Sequence, residues 1–216
     1  MNAVDVVLPC LDEAAALPGV LATLPVGYRA IVVDNGSTDG SPEVAAAHGA
    51  TVVHEQTKGY GAAVHTGLSH ARTDVVCFLD ADGSLDPAEL VPLVAAVDNG
   101  AHLAVGRRVP VSRGVWPWHA RAGNLLLATI LRRRGLLVSD IAPARAVRRA
   151  DLLALGVRDR AFGYPLELLV RAADAGWTVV ERDVVYRPRA AGTRSKVSGS
   201  VRGTLRAVRD MAGVLR

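Results

Sequence analysis

Short apolar runs and amphipathic stretches alternate along the first half of this chain. Valine-rich runs typical of buried strands occupy residues 4–8, 30–33, 51–53, 75–79 and 102–105. Helical patterns lie between them, at residues 13–24, 41–48, 60–71 and 87–97. Strands that alternate with helices through short polar loops predict right-handed βαβ units and a parallel sheet.

The second half is less regular. Its pattern predicts an amphipathic helix within residues 116–134, helices at 151–155 and 165–175, a strand at 178–185, a basic loop at 187–199 and a final helix at 200–215. Internal repeats and low-complexity linkers are absent from the sequence. We therefore expect one domain over residues 1–216, in which the predicted βαβ units fill residues 1–106.

Polar residues follow the first, second and fourth predicted strands. Asp80, Ala81 and Asp82 come directly after the run at residues 75–79. Ligands of parallel sheets bind beyond the carboxyl ends of the strands. Two carboxylates at this spacing can hold one Mg²⁺ or Mn²⁺, shared with substrate phosphates. A solvated turn before a helix cap is the alternative interpretation.

Two further loops have the composition of ligand-binding turns. Asp34, with Ser37 in the same loop, ends the second strand and suits hydrogen bonding to a base or ribose, although an Asx-type turn is the competing interpretation. Lys58 and Gly61 open a helix after the third strand, and neither a GxGxxG nor a P-loop pattern is present. We interpret this loop as one that brings helix N–H groups near a donor.

Charge divides the chain into two parts. Residues 1–106 carry 13 acidic and 3 basic side chains, whereas residues 107–216 carry 8 acidic and 22 basic ones. This asymmetry predicts two working surfaces, one that holds a cation and one that holds an anion. Two cysteines, Cys10 and Cys77, form neither a disulfide framework nor a zinc site.

Four sequence motifs follow one another in the first half of the chain. They are Val-Val-Leu-Pro-Cys-Leu-Asp-Glu at residues 6–13, Val-Val-Asp-Asn-Gly-Ser-Thr-Asp-Gly at 32–40, Lys-Gly-Tyr-Gly-Ala-Ala at 58–63 and Leu-Asp-Ala-Asp-Gly at 79–83. In these motifs and their order the chain resembles the family 2 glycosyltransferases. The resemblance implies an α/β GT-A (Rossmann-like) fold with a mostly parallel central sheet flanked by helices and a basic helical C-terminal part. It also implies an inverting, metal-assisted transferase with a nucleotide-sugar donor.

Within the family the chain is similar to the dolichyl-phosphate mannosyltransferase (polyprenyl-phosphate glycosyltransferase) branch. The supporting segments are residues 105–108, 121–124, 139–140 and 189–196. Ser84 stands where that branch often has glutamine, and residues 140–145 replace a glycine-containing stretch. The resemblance implies that residues 1–106 bind a GDP- or UDP-sugar and that residues 107–216 bind a polyprenyl phosphate.

The family resemblance, together with the needs of the chemistry, implies the expected site residues. The catalytic candidates are Asp82, Arg107 and Asp140. The donor-binding candidates are Pro9, Leu11, Glu13, Asp34, Ser37, Lys58, Gly61, Asp80, Ala81 and Asp82. Mg²⁺ or Mn²⁺ is expected on Asp80, Asp82 and Ser84. The candidates for the acceptor phosphate are Arg107, Arg121, Asn124, Arg145, Arg194, Ser195 and Lys196, because arginine forks match phosphate geometry.

The segment that begins at Trp116 and Trp118 and ends at Arg134 has the character of a membrane-surface helix. The longest apolar run, residues 125–131, is too short to span a bilayer, and three residues precede the first strand. We expect a cytoplasmic protein in peripheral contact with the inner face of the membrane, directly or through a membrane-protein partner or homo-oligomer. Nucleic acid is not an expected partner.

Three other functions remain open from the sequence. A GT-A enzyme with a soluble hydroxyl acceptor would need a general base, for which Asp140 and Glu167 are candidates. A sugar nucleotidyltransferase would carry a glycine-rich, arginine-containing loop after the first strand, where this chain has residues 9–13 instead. A non-catalytic sugar-nucleotide sensor would not require the Asp80/Asp82 pair.

Overall fold

A computed structural model describes residues 3–193 and 201–215, with the side chains of 201–206 excepted. The strands are β1 (Val4–Cys10), β2 (Tyr28–Asp34), β3 (Thr51–His54), β4 (Val75–Phe78), β5 (Leu103–Pro110), β6 (Ala144–Arg148) and β7 (Val179–Tyr186). The helices are α1 (Leu17–Ala22), α2 (Ser41–Ala47), α3 (Tyr60–His70), α4 (Leu90–Asp98), α5 (Trp118–Arg133), α6 (Arg149–Leu155), α7 (Tyr164–Asp174) and α8 (Val201–Val214). A 3₁₀ turn, Pro87–Glu89, precedes α4.

The strands form one sheet in the order β3-β2-β1-β4-β6-β5-β7. All neighbouring strands are parallel except at β6, which runs antiparallel to both β4 and β5. The expected mostly parallel sheet flanked by helices is therefore confirmed. Both halves of the chain contribute to it, since β6 and β7 lie in the second half.

Helices cover both faces of the sheet, and strand alternation sorts the core between them. Val6 and Leu8 of β1 pack with α1, α2 and α4, whereas Val7 packs on the opposite face with α3, α6 and α7. Gly67 permits α3 to pack closely on the sheet, because a Cβ there would lie 3.0 Å from a methyl of Val33. Because β1, β2 and β4 are parallel neighbours, their carboxyl ends lie together along one edge of the sheet.

The sequence pattern missed one strand and misplaced one helix start. No strand was predicted at residues 144–148, where Arg145 and Arg148 interrupt a short apolar pattern; pairing with β4 and β5 makes β6 a strand. Helix α1 begins at Leu17 and not at residue 13, since residues 13–16 form a turn that reaches toward α2. There, Glu13 N donates to Ser41 Oγ at 2.9 Å.

Candidate active site

The loops after β1 and β2 are joined by side chain–backbone hydrogen bonds. Asp12, at φ +54°, accepts a hydrogen bond from Thr38 N at 2.9 Å, and its own amide donates to Ser37 Oγ at 3.0 Å. Ala14 N donates to Asp39 Oδ2 at 3.0 Å. These cross-links bring the expected nucleoside residues of the two strand ends together: Pro9, Leu11, Glu13, Asp34 and Ser37.

Asp34 is a buried carboxylate at the end of β2. Burial by itself would raise the pKa of Asp34, but hydrogen bonds from the hydroxyl and amide of Ser37, from His54 and from Gly36 outweigh it and lower that pKa. The carboxylate is therefore held ionised. Ser37, expected to touch the donor, already uses its amide and its hydroxyl within this pair of loops.

The loop from β3 to α3 has a different role from the expected one. Asn35 clamps it by accepting from Gly59 N at 2.8 Å and donating to Thr57 O at 2.8 Å. The amides of Gly61 and Ala62 donate to the carbonyls of Ala161 and Arg160 at 3.0 and 2.8 Å. The α6–α7 loop therefore satisfies the two helix N–H groups that were expected near the donor. Lys58 remains exposed, next to Gly36.

Asp80 and Asp82 form a close pair of carboxylates beyond β4. Burial raises the pKa of Asp80, and the neighbouring Asp82 carboxylate raises it further. Ser84 N donates to Asp82 Oδ1 at 2.8 Å. Two acidic side chains in a protein environment of low dielectric constant attract a cation. Their oxygen ligands match Mg²⁺ and Mn²⁺, and the described residues contain no cluster of three metal-ligating side chains that would compete.

Three arginines turn toward this carboxylate pair: Arg108, Arg145 and Arg189 each lower the pKa of Asp80 against the effects of burial and Asp82. Arg189 Nη1 lies 2.5 Å from Asp82 Oδ2. The approach lacks the angles of a hydrogen bond, so we describe it as an ion pair. The backbone beside Arg189 pairs with the carboxylate loop, because Ala190 N donates to Asp82 O at 3.0 Å and Arg187 N to Ser84 O at 2.8 Å.

Arg107 and Arg108 point in opposite directions because they are neighbours in a strand. Arg107, the expected catalytic residue, is exposed and pairs with Asp183 at 2.6 Å on β7. Arg108 is turned inward, under the ring of Trp116 at 4.0 Å. The motif at residues 105–108 contains both arginines, and side-chain alternation along β5 makes Arg108 the inward one.

Asp140 is buried and fully engaged. Arg108 donates to both of its oxygens, at 2.8 and 2.7 Å, and the amides of Arg108 and Ala142 donate at 3.0 and 3.1 Å. Burial would raise the pKa of Asp140, but the Arg108 guanidinium outweighs it and lowers that pKa. Four donors engage this carboxylate, which disfavours its action as a base.

The other carboxylate considered as a base, Glu167, is similarly engaged. It accepts from the amides of Arg158 and Asp159 and from Arg171 Nε, the last at 2.5 Å. These hydrogen bonds outweigh burial and lower its pKa. Neither candidate base is therefore free to remove a proton from a hydroxyl.

A groove of about 420 Å³ lies on the basic side of the site. It brings together the expected acceptor residues Arg107, Arg121 and Asn124. Asn124 uses its amide to hold the neighbouring loop, since Nδ2 donates to Ser139 O and Oδ1 accepts from Ile141 N. Arg145 is buried away from the groove. Arg194, Ser195 and Lys196 lie outside the described residues.

Exposed apolar side chains continue from this groove along α5. Trp118, Leu125 and Leu126 of α5, and Leu137 in the loop that follows it, have exposed fractions between 59% and 83%. Arg132, Arg133 and Arg134 are exposed at the end of the same helix. Within the described part of the chain, no helix combines the length and the apolar character that a membrane crossing requires.

Comparison with known proteins identifies the family. Residues 5–155 match the profile of glycosyl transferase family 2. An uncharacterized glycosyltransferase of Mycobacterium tuberculosis is 57% identical over 215 residues, which cover 99% of this chain and 98% of that protein. Polyprenol monophosphomannose synthase of Mycolicibacterium smegmatis is 33% identical over 90% of this chain and 81% of its own length.

A solved structure confirms the fold. Glucosyl-3-phosphoglycerate synthase of Mycobacterium tuberculosis, crystallised with Mn²⁺, UDP and glucosyl-3-phosphoglycerate, superimposes with a TM-score of 0.79. It is 24% identical, and the match covers 99% of this chain and 78% of that one. The chain belongs to glycosyl transferase family 2 and is a glycosyltransferase of the GT-A fold.

Proposed function

We propose that this enzyme transfers a sugar from a GDP- or UDP-sugar to a polyprenyl phosphate, with inversion at the anomeric carbon. One observation carries the proposal: the carboxylate pair beyond β4 lies among arginines, while both candidate general bases are occupied by hydrogen bonds. Such a site suits an anionic leaving group and an acceptor that needs no deprotonation. The similarity to polyprenol monophosphomannose synthase supports the same acceptor class.

The donor half is proposed to use the loops after β1, β2 and β4. Pro9, Leu11 and Glu13 would border the nucleoside, and the ionised Asp34 would accept hydrogen bonds from it. Hydrogen bonds between the loops after β1 and β2 would hold this pocket rigid before the donor binds, and a rigid pocket lowers the entropic cost of binding. Ala81 is buried between the two carboxylates and keeps their backbone in place.

Asp80 and Asp82 would hold Mg²⁺ or Mn²⁺, with the buried Ser84 as the neighbouring third residue. The bound cation would neutralise the negative charge of the departing nucleoside diphosphate. Arg189, which already contacts Asp82, is placed to add positive charge to the same leaving group.

The acceptor half is proposed to bind an ionised phosphate monoester, whose oxygen can attack without loss of a proton. Arg121 and the inward Arg108 line the groove beside the carboxylate pair and supply donors that match phosphate. The exposed apolar side chains of α5 would then contact the lipid surface from which a polyprenyl chain extends. Attachment of this kind would be peripheral, at the inner face of the membrane.

A transfer assay tests the proposal. Purified protein with Mn²⁺ would be given radiolabelled GDP-mannose or UDP-glucose, together with a short-chain polyprenyl phosphate or, in parallel, 3-phosphoglycerate. We expect label to pass into the organic phase with the polyprenyl phosphate, and this transfer to stop with EDTA. Transfer to 3-phosphoglycerate alone would instead favour a soluble acceptor, and activity indifferent to EDTA would contradict the metal site.

A further inference from the structure

The largest fully buried side chain among the described residues is a charged one. Arg145, in β6, is 1% exposed and lies in register with Phe78, two residues before Asp80. Arginine is almost never fully buried unless its charge is compensated, because an isolated ion loses its hydration. The surroundings of Arg145 must therefore be explained.

Its direct contacts are neutral. Nη2 donates to Ile141 O at 2.5 Å, and the guanidinium lies near the Tyr60 hydroxyl. Nε is buried without a hydrogen-bond partner, as is the hydroxyl of Tyr164. Tyr60 and Tyr164 are the first residues of α3 and α7, so two helix N-termini with partial positive charge border this region. These surroundings disfavour a cation.

The other two arginines at the site form ion pairs with carboxylates, so Asp80 is the carboxylate that remains to compensate Arg145. Arg108 is neutralised by Asp140, and Arg189 by Asp82. Among the described residues Arg145 has no carboxylate in an ion pair, while Asp80 has no ion-paired arginine. Arg145 pairs with Phe78 in the β4–β6 register, and because Leu79 and Ala81 pack on the other face of the sheet, Asp80 lies on the same face as Arg145. The buried Arg145 and the half-buried Asp80 thus compensate each other at longer range.

We propose that Arg145 is a positioning residue that makes the carboxylate pair bind a divalent cation together with an anionic diphosphate in preference to the cation alone. The proposal rests on the function proposed above, specifically on its metal-dependent donor half. A fixed positive charge behind Asp80 repels a free divalent cation and attracts a nucleoside diphosphate, and burial weakens the screening of both effects. Because Arg145 is buried, it acts through Asp80 and through its electric field rather than by touching the substrate.

Binding measurements on the full chain test this role, because loss of the charge shifts two affinities in opposite directions. Mn²⁺ alone would be titrated by electron paramagnetic resonance, followed by UDP and GDP at saturating Mn²⁺. Compared with the wild type, we expect Arg145→Met to bind Mn²⁺ about threefold to tenfold more tightly and the preferred nucleoside diphosphate about tenfold more weakly. Arg145→Lys keeps the charge and should restore both affinities to within about threefold.

The control is Arg149→Met, since Arg149 is also a partly buried arginine that donates to a backbone carbonyl, that of Leu68, but on α6. It should change neither affinity. Parallel weakening of both ligands in Arg145→Met, or no change in either, would overturn the proposal. So would unfolding of both neutral variants, Arg145→Met and Arg145→Gln, because the charge would then hold the fold. If the wild type itself binds neither Mn²⁺ nor a nucleoside diphosphate, the proposed donor site fails and this inference fails with it.

Discussion

Asp80, beyond β4, and Asp140 are two carboxylates near Arg108 whose pKa values are shifted in opposite directions. Asp80 and Asp82 crowd each other, and the pKa of Asp80 is raised by burial and by its neighbour. Asp140 receives four hydrogen bonds, and its pKa is lowered because the Arg108 guanidinium outweighs burial. The difference teaches that the donors around a carboxylate, and not its residue type, separate Asp140 from Asp80: four donors engage Asp140, whereas Asp80 has no ion-paired arginine among the described residues.

The largest expected effect is loss of transfer when the pair beyond β4 is neutralised. Asp82→Asn keeps an oxygen to accept from Ser84 N but removes a metal ligand. We expect the initial transfer rate to fall about a thousandfold, since metal stabilisation of the leaving group is worth several kcal/mol and each 1.4 kcal/mol is tenfold. Asp98→Asn, at the exposed end of α4, is the control. If Asp82→Asn kept its transfer activity, the Asp80/Asp82 pair would not differ from Asp140 in binding a ligand.

Substitution of Asp140 should instead lower the stability of the folded protein. Asp140→Asn leaves the half-buried Arg108 without its counter-charge, so we expect a loss of about 3–5 kcal/mol in the free energy of unfolding. Because the folded-state pKa of Asp140 is lowered, this stabilisation is present above the unfolded value of 3.8 and is lost as the pH falls through the folded value. Urea unfolding across that pH range should show the two proteins converge in acid. Equal stability at pH 7 would contradict the structural role.

The rigidity of the donor side can be tested at Gly59. A Cβ there would collide with the carbonyl of Arg160, so Gly59→Ala must displace the loop that Asn35 clamps. We expect a destabilisation of about 1–3 kcal/mol in thermal unfolding. Gly19→Ala is the matched control, because nothing lies within 4 Å of its Cβ position in α1 and alanine favours helix. Equal effects of the two substitutions would mean that the loop is not held tightly.

The smallest expected effect concerns the surface of α5. Leu125→Asp should reduce flotation of the protein with liposomes of anionic phospholipid by about tenfold, because one apolar contact is lost and a negative charge is added. Val26→Asp is the control, since Val26 is 91% exposed in the turn before β2, at the opposite ends of the strands. Equal flotation of wild type and Leu125→Asp would remove α5 from the proposed membrane contact.

Much of the donor side follows from local pattern. Strands β1 to β5 and most of their helices were predicted within a few residues, because valine-rich runs end at polar turns. The family resemblance that rested on the four ordered motifs is confirmed by the matched profile. Prediction was weaker on the basic side. Arg107, Arg108 and Arg145 are the same residue type, but Arg107 pairs with Asp183, Arg108 pairs with Asp140, and Arg145 is buried and donates to a backbone carbonyl.

The sequence by itself determined the alternating architecture, the family and the position of Asp80 and Asp82 at a strand end, since these depend on contacts between near neighbours and on ordered motifs. Tertiary structure alone decided that β6 is a strand, that Asp140 is bound by Arg108, and that Arg145 is buried beneath the site. The physical reason is that the partner of a charge lies far along the chain. Arg108 and Asp140 are 32 residues apart, and Asp82 and Arg189 are joined through a loop that arrives from β7.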